Sequence, residues 1–385
     1  MEAKHLLEKY SEFKETSITG RYLSYSSIVN YIENLPSYFI KRTEGKSVLG
    51  ENIYSIEFGN GPKNILMWSQ MHGNESTTTK AVLDLLNFIA IDENDDFKNR
   101  TLEDCTIKII LVLNPDGLKN YTRVNANEVD LNRDATNQSQ PESKILRKVF
   151  QEFKPHYCLN LHDQRTIFSA GNVNKPATVS FLAPAYNEAR EINTVREKAM
   201  QLIVGMNNYL QTVIPNQVGR YDDGFNVNCV GDYFQAQNVP TILFEAGHFY
   251  KDYEREETRK YIFLSLFSVV SQIISATYKD LDKEEYENIP ENDKLYNDII
   301  IRNAEVEGEI KDVAIQYKEV LKEGKFYLMP IIEAIGDLNN RFGHKELNAE
   351  NKVLRINSVK NLEIGIKIEK MALNNEIISI FLTNS

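Results

Sequence analysis

Three observations predict an α/β fold, a mainly parallel mixed sheet flanked by helices, with a small β-rich C-terminal domain. Wholly apolar runs of strand length alternate with amphipathic runs of helix length from about residue 46 to 280. The acidic stretch KDLDKEEYENIPENDK (279–294) then interrupts the pattern, and short strand-like runs follow it. Within the first region, polar and charged residues gather just after the apolar runs, where strands end.

The elements follow in order. KSVLG and NIYSIEF alternate polar and apolar, GNGPKN is a turn, and ILMWSQM (65–71) is an apolar strand. STTTKAVLDLLNFIA places Val82, Leu85, Leu86 and Ile89 at helical spacing, with Ser76 and Thr77 as cap candidates. TIKIILVLN is a second buried strand, ending in the turn Asn114-Pro115-Asp116-Gly117. ESKILRKVFQEF is an amphipathic helix, HYCLNLH (156–162) a strand and EAREINTVREKAMQLIVGMNNYL a long helix. TILFE (241–245) is a short buried strand, and 254–278 a closing helix. The serines and glutamine within IFLSLFSVVSQIISATY make it a core helix rather than a membrane span. Beyond the acidic stretch NDIIIRNAEV, KDVAIQYKEVL, KFYLMPIIEAI, KVLRINSV, LEIGIKIEKM and EIISIFLT read as strands. The expected organisation is an N-terminal helical extension (1–45), a catalytic domain (46–280), an acidic linker (281–294) and a β-rich domain (295–385).

Composition narrows the class. The chain has 385 residues, 42% hydrophobic and 26% charged, as an ordinary globular protein does, and a net charge of −11. That charge argues against nucleic acid or an anionic membrane surface as the main partner. Cys105, Cys158 and Cys229 are odd in number and far apart, so neither a disulfide framework nor a thiolate zinc site is signalled. The N-terminus lacks an apolar signal region, and the expected location is cytoplasmic.

The strand ends carry the chemistry. His72 and Glu75 follow ILMWSQM, His162 closes HYCLNLH, and Glu245 closes TILFE. In an open α/β sheet the ligand crevice lies outside the carboxyl ends of the strands, so these residues converge there. Two histidines and a glutamate form one of the donor sets of catalytic zinc, which leaves a fourth position open. Alone, H-x-x-E is equally a surface ion pair or a cap; His162 at a further strand end turns it into a candidate Zn2+ site. The loop RVNANEVDLNR (123–133) brings Arg123, Asn132 and Arg133, suited to a carboxylate because guanidinium binds one in bidentate geometry. Glu245, buried on its strand, could act as general base toward the attacking water.

HGNE, NPDG, RVNANEVDLNR and the later strand-end His and Glu, in that order, resemble the zinc carboxypeptidases of the carboxypeptidase A type over roughly residues 46–270. The resemblance implies His72, Glu75 and His162 as zinc ligands and Glu245 as catalytic base. It implies Arg123 as the stabiliser of the oxyanion, and Asn132 with Arg133 as the grip on a terminal carboxylate. Tyr221, in GRYDDGF, is the nearest match to the tyrosine that closes over substrate in that family, and Val230 and Gly231 mark the region of the side-chain pocket. The chain departs from the family at Asp134 and Ala135, where Asn and an aromatic are usual, and at Glu128, where glycine is common. A carboxylate beside Arg133 would partly neutralise it or meet a substrate ammonium. The expected function is zinc-dependent hydrolysis of the C-terminal peptide bond of a peptide-like substrate, and the expected partner is a peptide or N-acyl amino acid with a free carboxylate. The rivals are an N-acyl amino acid deacylase resembling succinylglutamate desuccinylase or aspartoacylase, a cell-wall peptide amidase, and a non-catalytic binding module.

Overall fold

A computed structural model describes residues 1–91, 95–357, 359, 361–374 and 376–379. The chain forms two compact units, Met1–Gln164 with Ala177–Asn292, and Arg165–Pro176 with Asp293–Ser385.

The first unit is built on an eight-stranded sheet. Its strands are β1 (Ile40–Lys46), β2 (Asn52–Phe58), β3 (Lys63–Ser69), β4 (Cys105–Ile110), β5 (Tyr157–Asp163), β6 (Val179–Leu182), β7 (Val218–Arg220) and β8 (Thr241–Ala246). Their order across the sheet is β1-β2-β4-β3-β5-β8-β6-β7. The four central strands β4, β3, β5 and β8 are parallel, while β2 and β6 join them antiparallel. Side chains alternate along each strand, and both faces are covered, which is why the central strands are apolar throughout. Ile65, Met67, Leu159 and Leu161 face a core built with the helices Thr77–Ala90, Thr194–Gln211 and Glu256–Ser275. Leu66, Trp68, Ile110 and Cys158 face a second core with the helices Pro141–Phe153 and Val230–Ala236.

Several local outcomes differ from expectation. The first hairpin starts at Ile40, and KSVLG is mostly its turn; the exposed IKRTEGK strand carries no apolar alternation to reveal it. NPDG opens a short helix, Pro115–Asn120, because the Asn114 side chain accepts from Gly117 N at 2.8 Å. The long helix starts at Thr194, capped by Asn193, rather than at Glu188. Leu6, Tyr10, Phe13, Ile28 and Ile32 from the N-terminal segment belong to the main core. Residues 281–292 belong to the first unit: Tyr286 and Ile289 are buried in the same core, and the Tyr286 hydroxyl accepts from Ala183 N at 3.1 Å. The closing helix is Glu256–Ser275, and no helix among the described residues is long and apolar enough to cross a membrane.

The second unit contains a four-stranded sheet in the order Lys325–Gly336, Glu309–Lys322, Tyr296–Val306, Phe342–Asn348, the last pair parallel. Leu354–Ile356, Met371–Leu373 and Glu376–Ile377 form a smaller sheet; LEIGIKIEKM becomes strand only at its final residue, and positions 380–383 of EIISIFLT lie outside the described residues. Arg165–Pro176 belongs to this unit through Thr166, which accepts from Gln316 Nε2 at 2.7 Å and from His344 Nε2 at 2.8 Å. His344 also stacks on Tyr296, centroids 4.4 Å apart, which is a packing role.

Candidate metal centre

The strand-end loop after β3 is forced into a tight path. Gln70 has φ +44°, and its side chain donates to Gly73 O and accepts from Thr79 Oγ1, each at 2.9 Å. A Cβ on Gly73 would stand 2.0 Å from the backbone of Gly117, so the glycines of HGNE and NPDG pack main chain against main chain. Asn114 Nδ2 fastens the two loops further by donating to Met71 O at 3.2 Å.

This path brings His72 and Glu75 to His162 at the end of β5. His72 Nδ1 lies 2.9 Å from Glu75 Oε1, His162 Nδ1 2.8 Å from Glu75 Oε2, and the two Nδ1 atoms 3.1 Å apart. Both histidines are 2% exposed. Among the described residues, this is the one group of three His, Cys, Asp or Glu side chains that could hold a metal ion. A tetrahedral ion with Zn–N bonds of about 2.0–2.1 Å sets its nitrogens about 3.3 Å apart, so the spacing fits. The tautomer fits as well. His72 Nε2 lies 2.9 Å from Asp130 Oδ1, which takes the ring proton at Nε2 and leaves the Nδ1 lone pair for a cation. Asp130 sits inside RVNANEVDLNR, yet sequence reasoning gave it no role; a carboxylate within the arginine loop was the available signal.

Charge follows geometry. Burial disfavours a cationic imidazole at both positions; at His72 the Glu75 and Asp130 carboxylates outweigh burial and raise the pKa, while at His162 burial prevails and lowers it. Burial opposes ionisation of Glu75 too, but the two histidines hold its carboxyl well below the usual range. Arg123 donates to Asp130 Oδ2 from Nε at 3.0 Å and to Glu75 Oε1 at 3.3 Å, with its side chain 47% exposed. The guanidinium therefore touches the histidine–carboxylate cluster on one side and solvent on the other.

Glu245 pairs with His162 in the β5–β8 ladder, and strand alternation puts both side chains on the same face. Its Oε2 is buried and accepts no hydrogen bond from the protein. Desolvation, then Glu75 and Asp163, raise its pKa well above the usual carboxyl range. Tyr221 follows β7, fixed by its N–H to Phe181 O at 3.0 Å; burial and the charges of Glu245 and Glu75 hold its phenol protonated. Asn132 N donates to Asp130 Oδ1 at 2.9 Å, and Asn132 Oδ1 accepts from Val230 N at 3.0 Å, leaving its NH2 as the donor end. Arg133 is exposed and donates to Asn132 O at 2.7 Å.

Two departures acquire physical reasons. Glu128 has φ +60°, the left-handed conformation that favours glycine. Asp134 neither shades Arg133 nor faces a substrate: it is 3% exposed, and its carboxylate accepts from Ser139 N, Ser139 Oγ and Gln140 N at 2.9–3.0 Å. Burial works to raise its pKa, but these donors lower it.

Comparison with known proteins gives the family and the fold. The zinc carboxypeptidase family model, Peptidase M14, matches residues 25–320. Carboxypeptidase 2 of Trichophyton rubrum is 28% identical over 116 residues, covering 30% of this chain and 20% of that protein. The chain thus spans well under half the length of the curated relatives it matches. Carboxypeptidase A of Helicoverpa armigera shares the fold, with TM-score 0.52 and 18% identity over 72% of this chain and 82% of that one. So does the Pseudomonas aeruginosa metallo-carboxypeptidase solved with (2-guanidinoethylmercapto)succinic acid, with TM-score 0.53 and 14% identity over 67% of this chain and 70% of that one. With the family model covering most of its length, the chain belongs to the zinc carboxypeptidase family.

Proposed function

We propose that this chain uses zinc to hydrolyse the C-terminal amide bond of a peptide-like substrate with a free carboxylate. The observation that carries the reading is the pairing of a His–Glu–His donor set with a carboxylate on the adjacent strand, Glu245 opposite His162, whose Oε2 is buried. His72, Glu75 and His162 would hold the ion. Zinc, when bound, supplies Lewis acidity and brings the pKa of water down from about 15.7 towards 7.

The remaining chemistry belongs to the chain. Glu245 takes the proton of the attacking water and returns it to the leaving amine; an unsolvated Oε2 without a competing donor suits both transfers. Arg123 presents fixed positive charge to the developing oxyanion, supported by its bonds to Asp130 and Glu75. The Asn132 amide and the Arg133 guanidinium hold the terminal carboxylate and set which amide meets the base. Tyr221 closes over the bound substrate. The succinic-acid ligand of the Pseudomonas aeruginosa relative favours a carboxylate-bearing substrate.

The test is a mixed pool of short peptides and N-acyl amino acids, read by mass spectrometry with and without zinc. Release of single C-terminal residues supports the reading. Cleavage of N-acyl amino acids alone favours the deacylase, and no zinc-dependent product sinks both. Within the carboxypeptidase reading Arg133→Ala raises KM by about tenfold with little change in kcat, because the clamp binds ground and transition states alike. A pure kcat effect contradicts the clamp.

A further inference from the structure

A fully buried arginine fastens together the two strand ends that carry His162 and Glu245. Arg255 immediately precedes the helix Glu256–Ser275 and is 0% exposed. Its NH1 donates to Ala246 O at 2.7 Å and also to Gly247 O, and its NH2 donates to Gln164 O at 2.8 Å. Ala246 and Gly247 directly follow Glu245, and Gln164 lies two residues beyond His162. The β5–β8 ladder ends at Asp163↔Ala246, with Gln164 N donating to Ala246 O at 2.8 Å. One planar guanidinium therefore takes over where strand pairing stops.

Two costs mark the position. A buried guanidinium is unfavourable unless its donors are used and opposite charge lies near. Arg255 also adopts φ +60°, which a non-glycine residue holds only where its surroundings over-determine it. The surroundings do so here. Arg255 N donates to Asp252 O at 3.1 Å, and the Asp252 carboxylate accepts from Glu256 N at 2.8 Å and Thr258 N at 2.7 Å. On the other side, β5 is pinned to the metal loop through Asp163. The Asp163 carboxylate accepts from Thr77 N at 2.8 Å and Thr78 N at 3.2 Å, and Asp163 N donates to Glu75 Oε2 at 3.2 Å. The metal loop is thus tied to β5 through Asp163, while the β8 end is held by its ladders with β5 and β6, by Gly247 N on Thr178 O at 2.8 Å, and by Arg255 on the carbonyls of Ala246 and Gly247.

We infer that Arg255 is a positioning residue that sets the Glu245 carboxylate against the His72–Glu75–His162 group by clamping the carbonyls beyond β5 and β8. This rests on the reading of Glu245 as the base. A displacement near 1 Å at a reacting group costs about 10²-fold in rate, which is the size of effect such a clamp controls. Lysine carries three donors on one point, arginine five in a plane, so lysine replaces only part of the clamp.

The test uses full-length, zinc-loaded Arg255→Met and Arg255→Lys, with kcat and KM on N-blocked dipeptides and zinc affinity from chelator competition. Hydrogen exchange at residues 245–247 supplies a readout that needs no substrate. Arg255→Met should lower kcat about 30–100-fold with zinc affinity and KM within about threefold of the parent, and Arg255→Lys should recover part of the loss. Exchange at 245–247 should rise in both variants. Unchanged kcat or exchange, equal losses in kcat, KM and zinc affinity, or failure of both variants to fold would each overturn the inference. If the parent cleaves no blocked dipeptide, the peptidase reading fails instead, and exchange alone decides the clamp.

Discussion

Two of the charge clusters in the first unit are finished differently. Around Asp84 the charges are met by partners: Oδ1 accepts from Glu15 N and Arg259 NH2, and Oδ2 from Tyr10 Oη and Arg259 Nε, all at 2.5–2.8 Å. Arg259 spends further donors on Ile18 O and Glu15 O, while Glu256 gathers Lys14, Lys80 and Arg259. At the strand ends, by contrast, two imidazole nitrogens face each other across 3.1 Å beside a carboxylate, and Glu245 Oε2 has no donor. Paired charge of the first kind locks the N-terminal segment to the helices. The second cluster keeps donor atoms in reserve, in an arrangement that could hold a metal ion.

Substitutions can break this contrast from either side. The largest effect is expected for Glu245→Gln, which should lower kcat about 10²–10⁴-fold while zinc content stays at the parent level. Full activity would remove Glu245 from the role of base. In the paired cluster, Arg259→Met strands the Asp84 carboxylate and should cost about 3–5 kcal/mol of stability, measured by denaturant unfolding, without loss of zinc affinity. A parallel fall in zinc affinity would show that the clusters are not separable. Between them stands Asp130→Asn, expected to weaken zinc binding about 10–100-fold in chelator competition, because a neutral amide replaces the anionic acceptor that fixes the His72 tautomer and raises its basicity.

The smallest effect is a pH dependence. Burial works to raise the Glu256 carboxyl, but Lys80, Lys14 and Arg259 bring it down to about 2 from 4.5. A carboxyl depressed on folding contributes stability that is complete above its unfolded value and is lost as pH falls through the folded one. Glu256→Gln should therefore flatten the fall in unfolding free energy between pH 4.5 and about 2. An unchanged slope would mean that other carboxyls carry the acid sensitivity.

What the sequence revealed follows the same division. The central strands were legible because both faces are covered, so their whole length is apolar. His72, Glu75, His162 and Glu245 stand out in the sequence because polar residues at the ends of such strands do, and the fold gathers the first three into one group that could hold a metal ion. Neither clue reaches the partners. Asp130 meets His72 across 58 residues, and Arg255 meets Gln164 across 91. Each is an ordinary loop residue until folding brings it in. Asp134 shows the reverse error: beside Arg133 in sequence, it turns inward to cap Ser139 and Gln140. Edge strands such as IKRTEGK, exposed and polar, carry too little periodicity to be read at all.

The unfinished cluster is expected to bind one zinc. Zinc content of the purified full-length protein after dialysis, set beside His72→Ala, His162→Ala and Arg259→Met, tests it most directly. One zinc per chain in the parent and in Arg259→Met, with none retained by either histidine variant, is the expected result. Zinc retained with parental affinity by the histidine variants, or absent from the parent after loading, would contradict it.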